Sequence, residues 1–382
     1  MTSVIVIGGG VIGVSAAFRL AQAGAHVTLL EARELASGTS GSSFAWMNAN
    51  NKAPLEYHRL NVGGMAEHST LREEFGQAPW LHDDGNVIWE GATGDNSETE
   101  PAVPVKGEAL EPRVRRLREW GYPVELLSPA ELTAIHPDIN LPTAIERLAY
   151  FPTEGYIDVR LLVATLAHAA RSNGADIRTG QEVVEITQAS GRVTGVRTAD
   201  GDQFSANVVV SCTGRWTDQV TALAGASVPM APTLGLLVVS SPTVTTLRCI
   251  VHTPGVNLRP DGGSRILMAS YDTDLLLKPD MPQETLRHHA EHILERSADV
   301  LPALKGSTVE AYRVGVRAIP QDSFPVIGPI DGLDGFYTIG THSGVTMGPF
   351  LGRLATREIL DGKLDDRLAA FRPDRLFATA QG

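Results

Sequence analysis

The first thirty residues constrain the fold more than any other part of the chain. Residues 4–7 form a continuous apolar run, which is typical of a parallel strand buried on both faces. Gly8, Gly10 and Gly13 follow with the spacing G-x-G-x-x-G, and an apolar pattern with helical period runs over residues 14–23. The order of strand, glycines and helix predicts the first half of a βαβ unit.

A second strand and an acidic residue complete this unit. Residues 26–30 are predicted to be the strand, and Glu31 ends it. Gly8 permits a tight turn, Gly10 lets the backbone approach a pyrophosphate, and Gly13 lets the helix pack against the strand. Glu31 can accept hydrogen bonds from ribose hydroxyls. The full order predicts dinucleotide binding, and the alternative is a plain βαβ unit.

Composition and charge narrow the class of protein. The chain has 382 residues, enough for two domains, and its formal net charge of −12 argues against nucleic acid or an anionic membrane as main partner. Its two cysteines, Cys212 and Cys249, lack the spacing of a zinc site or redox pair, so no metal is expected. No apolar run reaches the ~18 residues of a spanning helix. The expectation is a cytoplasmic enzyme without an integral membrane segment.

A loop rich in Gly, Ser and Thr follows the acid. It runs over residues 37–43, after Arg33, and opens on the aromatic residues Phe44 and Trp46. Small hydroxyl residues and free N–H groups suit a second anion contact. The alternative is a flexible surface loop.

Four later stretches complete a resemblance to a known family. They are "GQEVVEI" with Val183, "ANVVVSCTGRWTDQV" with Thr213, Gly214 and Trp216, "VGVRAIPQDSFPVIGP", and "THSGVTMGPFLGRLATREIL". With the first thirty residues, they resemble the FAD-dependent oxidoreductases of the D-amino acid oxidase type. That group includes glycine oxidase, monomeric sarcosine oxidase and the D-amino acid dehydrogenases. No second G-x-G-x-x-G is present, so no separate pyridine-nucleotide domain is predicted.

The resemblance implies an α/β fold with two domains. A Rossmann-like FAD-binding domain of the glutathione-reductase type is expected from residues 1–85, 150–225 and 322–382. A substrate-binding domain, a mainly antiparallel β-sheet plus helices, is expected from 86–149 and 226–321. Residues 91–107 are polar and rich in Pro and Gly, which favours a surface loop over a lid.

The resemblance also implies a set of cofactor-binding residues and FAD bound non-covalently. Sarcosine oxidases carry a flavin-linked cysteine where this chain has Gly315. The expected FAD-binding residues are Gly8, Gly10, Val11, Ile12, Gly13, Glu31, Ala32, Arg33, Gly38, Thr39, Ser40, Ser42, Ser43, Val183, Thr213, Gly214, Trp216, Gly315, Arg317, Ser343, Gly344, Val345, Thr346 and Met347.

Arg317 is the main candidate for the substrate side. It matches the arginine that holds the substrate carboxylate in glycine oxidase, and a guanidinium binds a carboxylate bidentately. The alternative is an ion pair with a protein acid, for example Asp322. Arg313, four residues earlier, is expected to be structural.

The other candidates lie in three further segments. His342 is expected to contact substrate or flavin, or else to cap the following helix. Asn257 stands where glycine oxidase has a tyrosine, which implies a more polar substrate. Asn48 and Lys52, with Asn51, lie in a loop expected within range of substrate or oxygen.

The implied reaction is oxidation of the C–N bond of an amino acid or secondary amine. A hydride passes to flavin N5, the imine hydrolyses, and O2 reoxidises the flavin with release of H2O2. The alternative is a dehydrogenase that passes electrons to a quinone or another acceptor. A flavin-binding protein without turnover is a third possibility. The oligomeric state stays open.

Overall fold

The computed structural model describes residues 1–90 and 109–377. Within these residues the strands are β1 Ser3–Ile7, β2 His26–Leu30, β3 Trp46–Met47, β4 Leu81–His82, β5 Asn86–Ile88, β6 Glu125–Leu127, β7 Leu148–Phe151, β8 Gly155–Ile157, β9 Asp176–Arg178, β10 Val183–Ala189, β11 Arg192–Thr198, β12 Gln203–Ser205, β13 Val208–Ser211, β14 Leu234–Ser240, β15 Ile250–His252, β16 Asn257–Asp261, β17 Arg265–Ala269, β18 Val309–Val316, β19 Val326–Pro329 and β20 Phe336–Gly340.

The α-helices alternate with these strands in the first sheet and pack beside the second. They are α1 Val11–Gln22, α2 Leu55–Phe75, α3 Leu110–Glu119, α4 Pro129–Ile135, α5 Val159–Ser172, α6 Thr217–Leu223, α7 Tyr271–Asp274, α8 Gln283–Val300, α9 Gly344–Asp361 and α10 Asp374–Phe377. Short 3-10 helices occupy Thr39–Ser42, Gly214–Trp216, Pro302–Leu304 and Asp366–Phe371.

A six-stranded sheet contains the N-terminal βαβ unit. Its order is β19-β20-β13-β1-β2-β9, and its neighbours are parallel except for β19 and β20. The central strands β1 and β2 are apolar on both faces: one face packs in a cluster with α1, α5 and α9, and the other in a cluster with the three-stranded sheet β10-β11-β12. This layer is the expected Rossmann-like part of the α/β fold.

The predicted βαβ unit is present with one shift. Helix α1 begins at Val11, three residues earlier than predicted, because Gly10 is its N-cap and the glycine turn leads directly into the helix. Gly24 follows the helix with φ +85°, a conformation that favours glycine at this position. The strand at His26–Leu30 has the predicted bounds.

An eight-stranded sheet forms the second layer. Its order is β18-β14-β17-β16-β15-β5-β7-β6, and every neighbouring pair is antiparallel except β5 with β15. One face buries an apolar cluster against α8. The mainly antiparallel sheet plus helices is therefore confirmed.

The predicted domain boundaries remain a prediction. The six-stranded sheet takes its strands from residues 3–30, 176–178, 208–211 and 326–340, and the eight-stranded sheet from residues 86–88, 125–151 and 234–316. The predicted loop at 91–107 lies outside the described residues. Across the described part of the chain, no helix combines the length and apolar character needed to cross a bilayer.

Candidate active site

The site that contains the glycine turn lies at the carboxyl end of the parallel strands. It is a cavity of about 630 Å³ beside the start of α1, where ligands bind in open α/β sheets. The predicted cofactor residues on its wall are Gly8, Gly10, Val11, Ile12, Glu31, Ala32, Arg33, Gly38, Thr39, Ser40, Ser43, Val183, Thr213, Gly214, Trp216, Gly344 and Val345.

Two glycines beside the cavity allow backbone contacts that a side chain would block. A Cβ on Gly8, whose φ is +105°, would lie 2.6 Å from the carbonyl oxygen of Cys212. A Cβ on Gly13 would lie 1.9 Å from the carbonyl oxygen of Gly8. Gly13 does not line the cavity itself. It lets α1 approach β1, which is the packing role predicted for the third glycine.

Glu31 and Ser40 fix the backbone around the glycine turn. The Glu31 carboxylate accepts hydrogen bonds from the N–H of Gly9 at 2.6 Å and of Arg33 at 2.9 Å. Ser40 Oγ accepts from the N–H of Val11 at 3.0 Å. Glu31 is thereby held on the cavity wall, and a carboxylate has lone pairs left for ribose hydroxyls.

Polar atoms on this wall fit a polar cofactor. Ser37 Oγ and Gln181 Oε1 are buried without a hydrogen-bond partner among the described residues. Such atoms are costly unless a ligand or water satisfies them. Ser37 opens the hydroxyl-rich loop that was predicted to contact an anion, whereas Gln181 was missed because it lies in no glycine motif. With the glycine turn and Glu31, they make the wall suitable for FAD.

A smaller cavity of about 120 Å³ adjoins the first. Four residues line both, namely Thr39, Ser43, His342 and Val345. The structure brings all five predicted catalytic residues to this small pocket: Asn48, Lys52, Asn257, Arg317 and His342. The predicted cofactor residues Ser42, Gly315, Ser343 and Thr346 also line it.

Met347 is a predicted cofactor residue that lies in the apolar core away from both cavities. It is fully buried and lines neither cavity, because α9 packs against α2. The predicted backbone contact of Met347 with the cofactor stays a prediction.

Arg317 directly follows β18 and has an acidic partner. Its guanidinium donates to Asp274 Oδ2 at 2.5 Å and to the carbonyl oxygen of Leu234 at 2.6 Å. The alternative of an ion pair with a protein acid is thus present, but the acid is Asp274; the example given, Asp322, pairs with Arg375, with contacts of 2.7 and 3.1 Å. Asp274 was missed because it lies in the four-residue helix α7, 43 positions from Arg317.

Asn257 holds a histidine against an aromatic ring. Its Oδ1 lies 2.7 Å from Nδ1 of His252, so the imidazole N–H donates to the amide oxygen. The His252 ring lies 4.1 Å from the Trp46 ring, centre to centre. Asn257 thus has a structural partner as well as a place on the pocket wall.

A buried carboxylate organises the loop that carries Asn48 and Lys52. Glu154 Oε1 accepts from the N–H groups of Ala49 and Asn50 and from the Tyr122 hydroxyl, at 3.2, 3.0 and 2.6 Å. Its Oε2 accepts from Trp46 Nε1, Asn50 Nδ2 and Asn86 Nδ2, at 3.1, 2.8 and 2.9 Å.

Burial governs the titration of this group. Desolvation raises the pKa of Glu154 above its usual value, although the surrounding donors oppose that shift. The pKa of Tyr122 is raised well above its usual value by burial and by the Glu154 carboxylate. Glu154 was missed because the sequence shows one acid among ordinary turn residues.

Helix α2 fixes the first turn of α9 at the boundary between the cavities. The hydroxyls of Tyr57 and Ser343 share a hydrogen bond of 2.6 Å. His68 donates from Nε2 to the carbonyl oxygen of Val345 at 3.0 Å. Burial lowers the pKa of His68 to about 4, so the ring is neutral at pH 7.

Comparison with known proteins supports what the geometry suggests. Human mitochondrial dimethylglycine dehydrogenase is 24% identical over 395 residues, covering 97% of this chain and 44% of that protein. The glycine oxidase of Geobacillus kaustophilus is 26% identical over 369 residues, covering 92% and 91%. This chain thus spans less than half the length of the dimethylglycine dehydrogenase.

Solved structures share the fold. The crystal structure of L-proline dehydrogenase from P. horikoshii superimposes with a TM-score of 0.83 at 21% identity, covering 99% of this chain and 98% of that one. The profile of the DAO family, "FAD dependent oxidoreductase", matches residues 3–358. The chain therefore belongs to this family of FAD-dependent oxidoreductases.

Proposed function

We propose that this enzyme oxidises the C–N bond of an amino acid or secondary amine. The supporting observation is the small pocket that adjoins the cavity suited to FAD and gathers Asn48, Lys52, Asn257, Arg317 and His342. When bound, FAD accepts a hydride from the carbon next to nitrogen, and the imine formed hydrolyses in water. The residues of the pocket bind and orient the substrate.

The names of similar proteins point to the same substrate class. They include dimethylglycine dehydrogenase, glycine oxidase and L-proline dehydrogenase. Each name describes an amino acid or an N-methylated amino acid. A carboxylate on the substrate is therefore part of the proposal, and Arg317 is its predicted contact. Such a carboxylate would share the guanidinium with Asp274.

FAD is proposed to bind without a covalent link. A Cβ at Gly315 would lie 2.5 Å from the carbonyl oxygen of Ser42, so a cysteine at this position requires a shift of that backbone. Acid precipitation should leave the yellow colour in the supernatant. Colour retained in the pellet would contradict this point.

The electron acceptor is proposed to be O2, with H2O2 as product. The alternative is a dehydrogenase that uses a quinone or another acceptor. The purified yellow protein should be mixed without oxygen with D- and L-amino acids, N-methyl amino acids and secondary amines. Bleaching of the flavin by at least one compound is the expected result.

Admission of oxygen then distinguishes an oxidase from a dehydrogenase. Rapid return of the yellow colour with one peroxide per substrate supports the oxidase, and slow return that a quinone accelerates supports the dehydrogenase. If no compound of the panel bleaches the flavin, the proposed function is wrong for these classes.

A further inference from the structure

The charge balance of the small pocket distinguishes its two cations. The carboxylate of Asp274 accepts the N–H of Leu236 at 2.7 Å through Oδ1 and the Arg317 guanidinium through Oδ2. Both carboxylate oxygens of Asp274 are thus held, and its side chain is only 5% exposed. The Arg317–Asp274 pair therefore adds no net charge to the pocket.

Lys52 is different because no acid among the described residues pairs with it. It is 4% exposed and lines the pocket, yet no hydrogen bond or ion pair of Lys52 occurs among the described residues. Its recorded contact is the Tyr57 ring, 5.9 Å from Nζ. An ammonium on a largely buried side chain is less well hydrated than one on the surface, and an anionic ligand in the pocket would compensate its charge.

Two other deeply buried cations have acidic partners within the protein. Arg19 pairs with Glu67 and Glu74 at 3.0 and 2.8 Å, and Arg259 pairs with Asp261 at 3.0 Å. Both are less than 10% exposed, as Lys52 is. Among the described residues, Lys52 is therefore the buried cation on the pocket wall whose charge a ligand can compensate.

Asn48 supplies a complementary acceptor four residues before Lys52. It is 4% exposed and lines the same pocket, and its Oδ1 is buried without a hydrogen-bond partner among the described residues. Its backbone N–H donates to Thr346 Oγ1 at 3.3 Å, which holds the residue against α9. An amide oxygen at this place suits the N–H of a substrate amine.

We infer that Lys52 binds the carboxylate of the substrate and that Asn48 Oδ1 accepts a hydrogen bond from its amine. This inference rests on the proposed function and names its substrate class: amino acids with a free carboxylate, in preference to amines without one. The Arg317–Asp274 pair then borders the carboxylate without providing the net positive charge.

The test uses two ligands of the same shape. Pyrrole-2-carboxylate and pyrrole-2-carboxamide differ in charge, and neither needs to turn over. Dissociation constants for the FAD-loaded protein are measured from the change in flavin absorbance. Lys52→Met should raise the dissociation constant of the carboxylate by at least about tenfold and that of the carboxamide by less than about threefold. Lys52→Arg should keep most of the affinity for the carboxylate that Lys52→Met loses.

Lys363→Met is the matched control, because Lys363 is exposed beyond the end of α9. It should change neither constant. The inference is wrong if Lys52→Met binds the carboxylate as tightly as the unchanged protein, if it loses FAD, or if the unchanged protein shows no preference for the carboxylate. Because both ligands are inert, these outcomes are separate from a failure of amines to bleach the flavin.

Discussion

The two adjoining cavities are built in different ways. The large cavity of about 630 Å³ includes a wall made by short motifs, such as the glycine turn with Gly8 and Gly10 and the hydroxyl-rich loop with Ser40. The small pocket of about 120 Å³ is bounded by side chains from distant segments, such as Lys52, Asp274 and Arg317. Local motifs can therefore specify part of the first, whereas the second exists only after both sheets have packed.

The largest effect is expected at Gly13, where the backbone of α1 lies against the backbone of Gly8. Gly13→Ala places a Cβ 1.9 Å from the carbonyl oxygen of Gly8, so α1 must move away from β1. We expect a loss of about 3 kcal/mol of unfolding free energy and of most bound FAD. Thermal unfolding measures the loss of stability, and flavin absorbance measures the loss of FAD.

Gly24→Ala is the control for this substitution. Gly24 has φ +85° with open space around its Cβ position, so only the backbone strain of about 1 kcal/mol is expected, and FAD should stay bound. Equal effects of the two variants would show that close packing at Gly13 does not matter.

The next largest effect concerns the carboxylate that orders the small pocket. In Glu154→Gln, one oxygen becomes an NH2 group that faces three hydrogen-bond donors, whichever oxygen is replaced. We expect a loss of about 2–4 kcal/mol of stability and weaker binding of pyrrole-2-carboxylate, because the loop with Lys52 shifts.

The flavin spectrum distinguishes this local effect from general damage. FAD content should stay near that of the unchanged protein, since Glu154 does not line the large cavity. Unchanged stability together with unchanged ligand binding would contradict the role given to Glu154.

A smaller effect is expected at the neutral ion pair. Arg317→Ala should raise KM for an amino-acid substrate by about tenfold while FAD stays bound, because it removes one carboxylate contact and leaves Asp274 unpaired. Arg357→Ala, on the exposed side of α9, is the control. Unchanged KM and kcat in Arg317→Ala would show that Arg317 makes no substrate contact.

A pH dependence of stability is expected at α2. Because the pKa of His68 is about 4 in the folded chain and about 6.5 unfolded, the unfolded chain binds more protons between these values. His68 should therefore lower stability as pH falls from 6.5 to 4, by on the order of 3 kcal/mol in total, with no further change below pH 4.

Urea unfolding at several pH values measures the slope of stability against pH. His68→Gln should flatten it, since a glutamine can still donate to the Val345 carbonyl but does not titrate. The exposed His26→Gln should leave the slope as it was. A slope that is the same in His68→Gln and in the unchanged protein would contradict the assignment.

Parts of the large cavity could be predicted because each belongs to a short motif. The glycine turn and the turn at Gly214 act through their backbone, and Glu31 acts through its carboxylate on the N–H groups of nearby residues. The shift of the start of α1 from residue 14 to Val11 is a boundary effect, since the residues of the glycine turn also form the first helical turn.

The small pocket was predicted only in outline. Arg317, Asn257 and Lys52 were identified one by one, but the partner of Arg317 could not be, because Asp274 reaches it through the pairing of β14 with β18. Glu154 and Tyr57 carry no motif. Their roles appear only when the loop at residues 46–52 and helix α9 meet.

One substitution tests most directly whether the large cavity holds the cofactor and the small pocket takes the substrate. Ala269 lines the small pocket and not the large one, so Ala269→Phe should fill it. The variant should bind FAD with a normal spectrum but lose anaerobic bleaching by the best amino-acid substrate. The control Ala303→Phe, in a separate surface cavity of the eight-stranded sheet, should bleach normally. Normal bleaching in Ala269→Phe would contradict the account.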